Sequence, residues 1–289
     1  MSLWSDPRAF LHERHIAWRA AFVRGWLTQF LFEFVSFGVK QAWACLFGGA
    51  MVALLLGTYF FYPEDTALPR YDFLTLSALG IQIVLVAIKL ETWEEAKVIL
   101  VFHIVGTAME VFKTYSGSWI YPEEAYLRIA GVPLFSGFMY AAVGSYIARV
   151  WRIFHFRFDR FPPLWLQGVL ALAIYINFFS HHYLPDIRLV LFGATVLIYG
   201  PCLLWFKPDE KHRPMPMVIG LLLVALFIWF AENIGTFARA WAYPGQEGDV
   251  WHPVSLQKLG SWYLLMIISF VLVAGVHRRG QGLENEGHS

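Results

Sequence analysis

Two stretches of this chain repeat one pattern: EVFKTYSGSWIYP at residues 110–122 and ENIGTFARAWAYP at residues 232–244. Each stretch begins with a glutamate and ends with a tyrosine followed by proline. Aligned residue by residue, they pair Glu110 with Glu232, Thr114 with Thr236, Tyr115 with Phe237, Trp119 with Trp241, Tyr121 with Tyr243 and Pro122 with Pro244. After a slip of one residue, Gly137 and Tyr140 also match Gly260 and Tyr263. Chance supplies a Trp-x-Tyr-Pro match more readily than the glutamate and threonine matches, so the pattern indicates an internal duplication.

The composition favours a membrane protein. Of 289 residues, 58% are hydrophobic and 15% are charged, whereas roughly 25% are charged in an average soluble domain. The formal net charge of +1 gives no support for a nucleic-acid partner. Cys45 and Cys202 lie in apolar runs and do not indicate a disulfide framework. The N-terminus lacks the pattern of a cleaved signal peptide, so we expect the first spanning helix to direct insertion.

Eight charge-poor runs have the length of a membrane-spanning helix, which needs about 20 mostly apolar residues. They lie near residues 41–62, 73–90, 96–115, 132–150, 163–181, 187–206, 216–238 and 257–276. The sequence therefore predicts an all-α fold, a multi-pass helical membrane protein with eight transmembrane helices. Arginine and lysine cluster at alternate connections, and this bias predicts that both termini are cytoplasmic.

The duplication divides the eight spans into two halves. We predict a first four-helix repeat over residues 39–152, a second over residues 161–279 and a disordered tail over residues 280–289. Four spans per half preserve orientation, so the two repeats are expected to be parallel and related by an axis along the membrane normal.

An amphipathic helix is predicted over residues 7–38, before the first span. Aromatic residues recur there at every fourth position with arginines between them, at Trp18, Phe22, Trp26, Phe30, Phe34 and at Arg14, Arg19, Arg24. This pattern is typical of a helix that lies in the cytoplasmic interface of a membrane. A plain helical extension packed on the bundle is the alternative.

The repeated pattern also has a physical interpretation. Proline ends a helix, and tryptophan and tyrosine favour the boundary between membrane and water. We therefore expect the outer interface at Trp119, Tyr121, Trp241 and Tyr243. Glu110 lies nine residues before Trp119, at most about 13 Å along a helix, so it and Glu232 are expected below that interface.

A carboxylate at that depth costs on the order of 3 kcal/mol unless it is paired, protonated or hydrated. We therefore expect both glutamates to face the bundle interior and to form a ligand or proton site between the repeats. Candidate partners on the same helical faces are His103, Lys113 and Thr114 in the first half, and Thr236 and Arg239 in the second. In the alternative interpretation Glu110 and Lys113 form an ordinary ion pair, and the glutamates only lock the halves together.

Other chemistry finds little support in the sequence. His181, His182, His103 and the two glutamates do not form a metal-binding motif, so neither a metal nor a cofactor is expected. A phosphate-binding glycine loop and a nucleophile elbow are also missing. The remaining charged cluster is expected to be a solvated turn, formed by Glu91, Glu94, Glu95 and Lys97.

The stretch HIVGTAMEVFKTYSGSWIYPEEAYLRIAGVPLFSGFMYAAVGSYIARVWR at residues 103–152 resembles the signature of a bacterial integral membrane family, the YoaT-like proteins (domain of unknown function 817). The similarity extends over most of the chain and implies a fold and a location in the bacterial inner membrane, without an activity. The intramembrane glutamate, the Trp-x-Tyr and the Gly-Val-Pro at 131–133 are also similar to motifs of membrane carotenoid hydratases and small lycopene cyclases. Leu134 and Phe135 stand where the cyclases have an acidic pair.

These features favour a protein that binds or transforms a lipophilic molecule, an isoprenoid or a lipid, in an aromatic-lined cavity open toward the outer leaflet. In an enzyme of this kind Glu110 would be the general acid, with His103 passing protons to it and Glu232 as its counterpart. The ligand would contact Lys113, Thr114, Trp119, Tyr121, Thr236, Arg239, Trp241 and Tyr243. A small-solute or proton-coupled transporter and a non-catalytic scaffold are the alternatives. Membrane lipids are the expected partners, and the oligomeric state stays open.

Overall fold

The computed structural model describes residues 17–63, 65–246 and 250–286. Within these residues the chain is mostly helical. After a helical stretch at residues 17–22 come α1 (Trp26–Ala44), α2 (Leu46–Phe61), α3 (Arg70–Ala87), α4 (Trp93–Tyr115), α5 (Phe135–Ile153), α6 (Leu164–Ser180), α7 (Arg188–Tyr199), α8 (Met217–Phe237) and α9 (Leu256–Glu286). Short strands lie between them: β1 (Arg128–Ile129), β2 (Val132–Pro133), β3 (Arg157–Asp159), β4 (Leu203–Phe206) and β5 (Arg213–Pro216).

Each of the eight apolar runs contains one helix, from α2 to α9. The main difference lies in the run at residues 187–206, because α7 ends at Tyr199. Pro201 follows directly and cannot donate a helical hydrogen bond, and residues 203–206 then form strand β4. At the other end of the chain, α9 includes residues 280–286, which were predicted to be a disordered tail, and residues 287–289 lie outside the described residues.

Within the part of the chain that the structure describes, three helices are long and apolar enough to cross a membrane: α3, α8 and the part of α9 from Leu256 to Gly275. The count rises to four if α1 and α2 form one broken span, since they meet at an angle of 68°. α6 and α7 are apolar but shorter. α4 carries charged residues in its first two turns and in its last two turns, which lowers its mean hydropathy. Membrane-compatible helices are therefore present, whereas the number of eight spans stays a prediction.

The N-terminal segment differs from a single helix over residues 7–38. The described helix is interrupted at residues 23–25, where Gly25 precedes α1, and α1 then continues to Ala44. Residues 7–16 lie outside the described residues. The aromatic stripe of the prediction is exposed, with Trp26 82% and Phe34 64% accessible. Within the same helix, Glu33 is buried and forms an ion pair with Arg213 at 2.8 Å.

The bundle is organised around two helix pairs, α4 with α5 and α8 with α9. α5 also packs on α2, and α9 packs on α6. α4 and α5 approach closely because Gly106 leaves room for the ring of Tyr140. We call the end of the bundle that holds residues 116–134, 238–246 and 250–255 the upper end, and the opposite end the lower end.

Strands connect the elements at both ends. At the lower end, β3, β4 and β5 form an antiparallel sheet in the order β3-β4-β5, and at the upper end β1 pairs with β2. The two repeated patterns meet in an isolated antiparallel bridge between Ile120 and Ala242. The Ile120 amide donates to the Ala242 carbonyl at 2.9 Å, and the Ala242 amide donates to the Ile120 carbonyl at 3.0 Å.

The first turn of α3 fixes the upper loops. Arg70 donates to the Ala238 carbonyl at 3.0 Å, and the Tyr71 hydroxyl donates to the Ala240 carbonyl at 2.9 Å. Asp72 accepts hydrogen bonds from two backbone amides of the loop between α4 and α5, at 2.7 and 2.8 Å. These contacts hold the segments that follow α4 and α8 over the ends of those helices. The aromatic residues of the two repeated patterns lie in these segments at equal spacing.

Candidate functional site

The carboxylate of Glu110 is buried in α4 and accepts three hydrogen bonds. Trp119 Nε1 donates to its Oε2 at 2.6 Å and the Tyr121 hydroxyl donates to the same oxygen at 2.5 Å. The Tyr140 hydroxyl, from α5, donates to Oε1 at 2.7 Å. Glu110 is 5% exposed. Three donors around one carboxylate satisfy most of its hydrogen-bonding capacity, which is how a polar group is tolerated in an apolar bundle.

Glu232 in α8 has a similar environment and is 3% exposed. The Tyr243 hydroxyl donates to its Oε1, and Trp262 Nε1, from α9, donates to its Oε2. Tyr121 and Tyr243 lie 11 residues after their glutamates, and Tyr140 and Trp262 lie 30 residues after them. The two glutamates therefore use donors at matching positions.

The contacts correct one detail of the alignment. The slip of one residue paired Tyr140 with Tyr263, but Trp262 makes the contact that corresponds to that of Tyr140. The Tyr263 hydroxyl is buried and has no hydrogen-bond partner among the described residues. Sequence matching favoured the chemically identical tyrosine, whereas either an indole N–H or a phenol can supply the donor that a carboxylate needs.

The hydrogen-bond donors of the two carboxylates contact one another. Trp119, a donor to Glu110, contacts Tyr243, a donor to Glu232, edge to face with ring centroids 6.0 Å apart. A second aromatic contact joins Tyr140 and Trp262, whose centroids are 6.1 Å apart. We call the two glutamates with these five aromatic donors the carboxylate pair: Glu110, Trp119, Tyr121, Tyr140, Glu232, Tyr243 and Trp262.

Lys113 does not pair with Glu110, although both lie on α4. Its Nζ lies 3.0 Å from His182 Nε2 and 4.1 Å from the ring centroid of Phe178. The interpretation as an ordinary ion pair along the helix is therefore wrong. The aromatic donors already occupy the Glu110 oxygens, and the lysine side chain extends toward α6 instead.

His182 is a neutral partner for that lysine. Burial, the Lys113 ammonium and His181 together hold the pKa of His182 below its ordinary value. In the neutral tautomer that carries its proton on Nδ1, Nε2 accepts a hydrogen bond from the Lys113 ammonium. Among the described residues there is no group of three or more histidine, cysteine, aspartate or glutamate side chains placed to hold a metal ion.

Besides Lys113, five predicted site residues make no contact with the carboxylate oxygens: His103, Thr114, Thr236, Arg239 and Trp241. His103 packs on Phe138, with ring centroids 4.3 Å apart, and its buried Nδ1 has no partner among the described residues. The Thr114 hydroxyl is likewise buried without a described partner. The others have backbone or packing contacts: Thr236 donates to the Glu232 carbonyl at 3.1 Å, Arg239 has a positive φ of 52° and its carbonyl accepts from Arg70, and Trp241 packs on Gly235.

A cavity of about 220 Å³ opens beside the carboxylate pair at the upper end. Four residues predicted for the site line it: Lys113, Trp119, Glu232 and Tyr243. Others in its wall were not predicted, among them Tyr140, Asn177, Phe178, His181, Arg188, Lys258, Ser261 and Trp262. Glu110 does not line this cavity, because its three aromatic donors surround it.

A second, smaller cleft lies deeper between α4, α5, α8 and α9. It measures about 30 Å³ and is lined mainly by apolar side chains such as Phe102, Met109 and Met266. A cleft of that size holds one or two water molecules. The space for a larger molecule is therefore at the upper end, against α6 and α9.

A buried polar network at the lower end was missed by the sequence analysis. Glu91 is 3% exposed and pairs with Arg149 at 2.6 Å, and both side chains are fully buried. Ser145 donates to Glu91 at 2.8 Å, and Gln82 donates to it as well. The prediction of a solvated turn holds for Glu94 and Lys97, which form an exposed ion pair, but is wrong for Glu91 and Glu95. Ser145 and Arg149 on α5, more than 50 residues away in sequence, together with the nearby Gln82 on α3, allow Glu91 to be buried.

Comparison with known proteins supports the resemblance seen in the sequence. Residues 33–270 match the family described as "Protein of unknown function (DUF817)". Over 244 residues the chain is 43% identical to "Uncharacterized protein YoaT" of Bacillus subtilis (strain 168). The aligned region covers 84% of this chain and 91% of that protein. No solved structure matches the chain. The chain therefore belongs to the DUF817 family of proteins of unknown function.

Proposed function

We propose that this protein is a multi-pass protein of the bacterial cytoplasmic membrane that binds a small amphipathic molecule beside the carboxylate pair. The single observation that carries the proposal is the cavity of about 220 Å³, which has Glu232 in its wall and aromatic rings around it. Ligand sites are usually concave and mostly apolar, with a few convergent polar groups. This cavity has that character.

The proposal includes eight spans in two parallel four-helix repeats, with both termini cytoplasmic. In support of the repeats, the two glutamates use donors at equal spacing, and the backbone bridge joins equivalent residues, Ile120 and Ala242. In support of the spans, large apolar side chains are exposed along the outer faces of the helices, for example Leu189, Leu197 and Phe227. Lipid would cover such surfaces in a membrane.

Glu232, and not Glu110, is the carboxylate that a ligand in this cavity would meet. Glu232 lines the cavity and accepts two hydrogen bonds, whereas Glu110 accepts three and lies behind Trp119 and Tyr140. We therefore assign Glu110 the role of orienting those aromatic side chains. If the protein is an enzyme, Glu232 is the acid or base that reaches the substrate.

The test is to fill the cavity with a larger side chain and to measure which copurifying small molecule is lost. We would extract wild type and Ser261→Phe without harsh detergent and identify bound small molecules by native mass spectrometry. Ser261 lies in the cavity wall on α9, so a phenyl ring there should occupy the space of the ligand. We expect one molecule to copurify with the wild type and to be lost from Ser261→Phe.

The matched control is Gly80→Phe, at a position of α3 that has open space around it. This control should retain the molecule. A molecule held equally by all three proteins, or by none of them, would contradict the proposal. The last outcome favours the scaffold alternative, in which the aromatic hydrogen bonds of the carboxylate pair only join the halves.

A further inference from the structure

Three basic side chains converge on the upper cavity from three different elements. Lys113 reaches it from α4, Arg188 from the start of α7 and Lys258 from the start of α9. His181, at the end of α6, lies in the same wall. Among the described residues of that wall, Glu232 is the one carboxylate. Cations gathered in a cleft raise the local concentration of anions.

Neither lysine has a carboxylate partner among the described residues. Lys258 lies over the ring of Tyr243, with its Nζ 4.0 Å from the centroid, and 5.4 Å from that of Trp119. Lys113 contacts the neutral His182 and the ring of Phe178. Arg188 differs, since it forms an ion pair with Asp186 at 3.0 Å.

Glu232 carries one negative charge against several basic side chains; it attracts Lys258 electrostatically, but among the described residues it forms no direct ion pair with either lysine. Its two oxygens accept hydrogen bonds from Tyr243 and Trp262, so its acceptor sites are partly used. The aromatic rings attract cations weakly and do not cancel their charge. The cavity therefore has two ammonium groups whose contacts are ring faces and one imidazole.

We propose that the ligand of this cavity is an anionic amphiphile, with its anionic group between Lys113 and Lys258. Its apolar part would lie along Ile174, Phe178 and Leu265, which line the same cavity. The inference rests on the proposed function and adds the chemical class of the ligand. A phosphate or carboxylate head suits paired ammonium groups, because charge-assisted hydrogen bonds are the strongest that these side chains make.

The test uses thermal unfolding of the full chain in a non-ionic detergent with three added probes. These are dioctanoyl phosphatidic acid, the uncharged dioctanoylglycerol and inorganic phosphate. At 100 times its dissociation constant, a bound ligand should raise the unfolding midpoint by about 5 °C. We expect this rise with phosphatidic acid and little change with dioctanoylglycerol. If only inorganic phosphate raises the unfolding midpoint, the ligand is a free anion that binds the same ammonium groups, and not a lipid.

Two variants connect the effect to the cavity. In Lys258→Met and Lys113→Met we expect the affinity for phosphatidic acid to fall about tenfold or more, because a charged partner is lost. Lys97→Met is the matched control, since Lys97 is exposed at the lower end and pairs with Glu94. It should bind as the wild type does. Use of two lysine variants keeps the test valid if one of them fails to fold.

The outcomes separate this inference from the function on which it rests. Equal stabilisation by the charged and uncharged lipids, or unchanged affinity in both lysine variants, would overturn the anionic assignment. If Ser261→Phe still loses a copurifying molecule in that case, the cavity is a ligand site for an uncharged compound. If no molecule depends on Ser261, both proposals fail together.

Discussion

Tyr140 and Tyr263 are two tyrosines of the α5 and α9 helices that differ in what their hydroxyl groups contact. Tyr140 donates to the buried Glu110 at 2.7 Å, whereas the Tyr263 hydroxyl has no described hydrogen-bond partner. Tyr140→Phe leaves a carboxylate with one donor fewer, so we expect the free energy of unfolding to fall by about 2 kcal/mol. Denaturant or thermal unfolding in detergent measures it.

Tyr263→Phe is the matched control, because it removes the same atom from a hydroxyl that has no partner at normal hydrogen-bond geometry in the described part of the chain. We expect its stability to stay within about 0.5 kcal/mol of the wild type. Equal losses in the two variants would mean that the hydroxyl of Tyr140 does not stabilise Glu110.

At the residue scale, the burial of both glutamates could be predicted, but most of their contacts could not. An isolated carboxylate in an apolar layer needs donors, and that reasoning points inward for Glu110 and Glu232. Trp119, Tyr121 and Tyr243 were interpreted as markers of the membrane interface, yet they donate to the glutamates. The repeated spacing of carboxylate and aromatic residues was a signal for these hydrogen bonds. The cavity residues Arg188 and Lys258 come from other elements, and only the fold brings them to Lys113.

At the element scale, the α4–α5 contact depends on Gly106. A Cβ atom at this position would lie 2.6 Å from the Cβ atom of Tyr140. We therefore expect Gly106→Ala to destabilise the protein by about 1–3 kcal/mol, because the two helices would have to separate. The shift would also weaken the hydrogen bond from Tyr140 to Glu110.

Gly80→Ala provides the comparison, since its added Cβ meets nothing within 4 Å in α3. Alanine favours the helix there, and we expect a gain of about 0.5–1 kcal/mol. Thermal unfolding of both variants measures the difference. A stability of Gly106→Ala equal to or above that of Gly80→Ala would show that the helix pair tolerates a wider separation.

Apolar runs predicted the positions of eight helices, and the exceptions have local causes. Pro201 ends the helical segment that begins at residue 188, and Gly25 precedes a new helix in the N-terminal segment. The strands were not predicted, because they are short and pair with residues far along the chain, as β3 does with β4. Such pairing is set by the tertiary fold and leaves little trace in local composition.

At the scale of the whole molecule, the proposed eight-span topology makes a prediction about access from each side of the membrane. Single cysteines in the four upper loops, at Asp65, Glu124, Tyr183 and Gln246, should react with an impermeant maleimide in intact cells. Single cysteines in the lower loops, at Leu90, Arg160 and Lys211, should react only after the membrane is opened. The positive-inside bias of the lower connections is the physical reason.

The labelling needs a background in which Cys45 and Cys202 are replaced by serine, and a cytosolic protein reports leakage. If fewer helices cross the membrane, some of the upper loops will be labelled only after permeabilisation. A count of three or four spans, corresponding to the helices that are long and apolar enough, would contradict the proposed topology.

Under the proposed duplication, the reciprocal backbone bridge between Ile120 and Ala242 has a consequence for ancestry. Both of its hydrogen bonds use main-chain atoms, so they do not depend on which side chains the two residues carry. Isoleucine in one pattern can therefore pair with alanine in the other. A half-length precursor could have formed the same bond with a second copy of itself, since a twofold axis brings each residue onto its own equivalent. Fusion of two such gene copies would then preserve this pair of backbone hydrogen bonds while the surrounding side chains diverged.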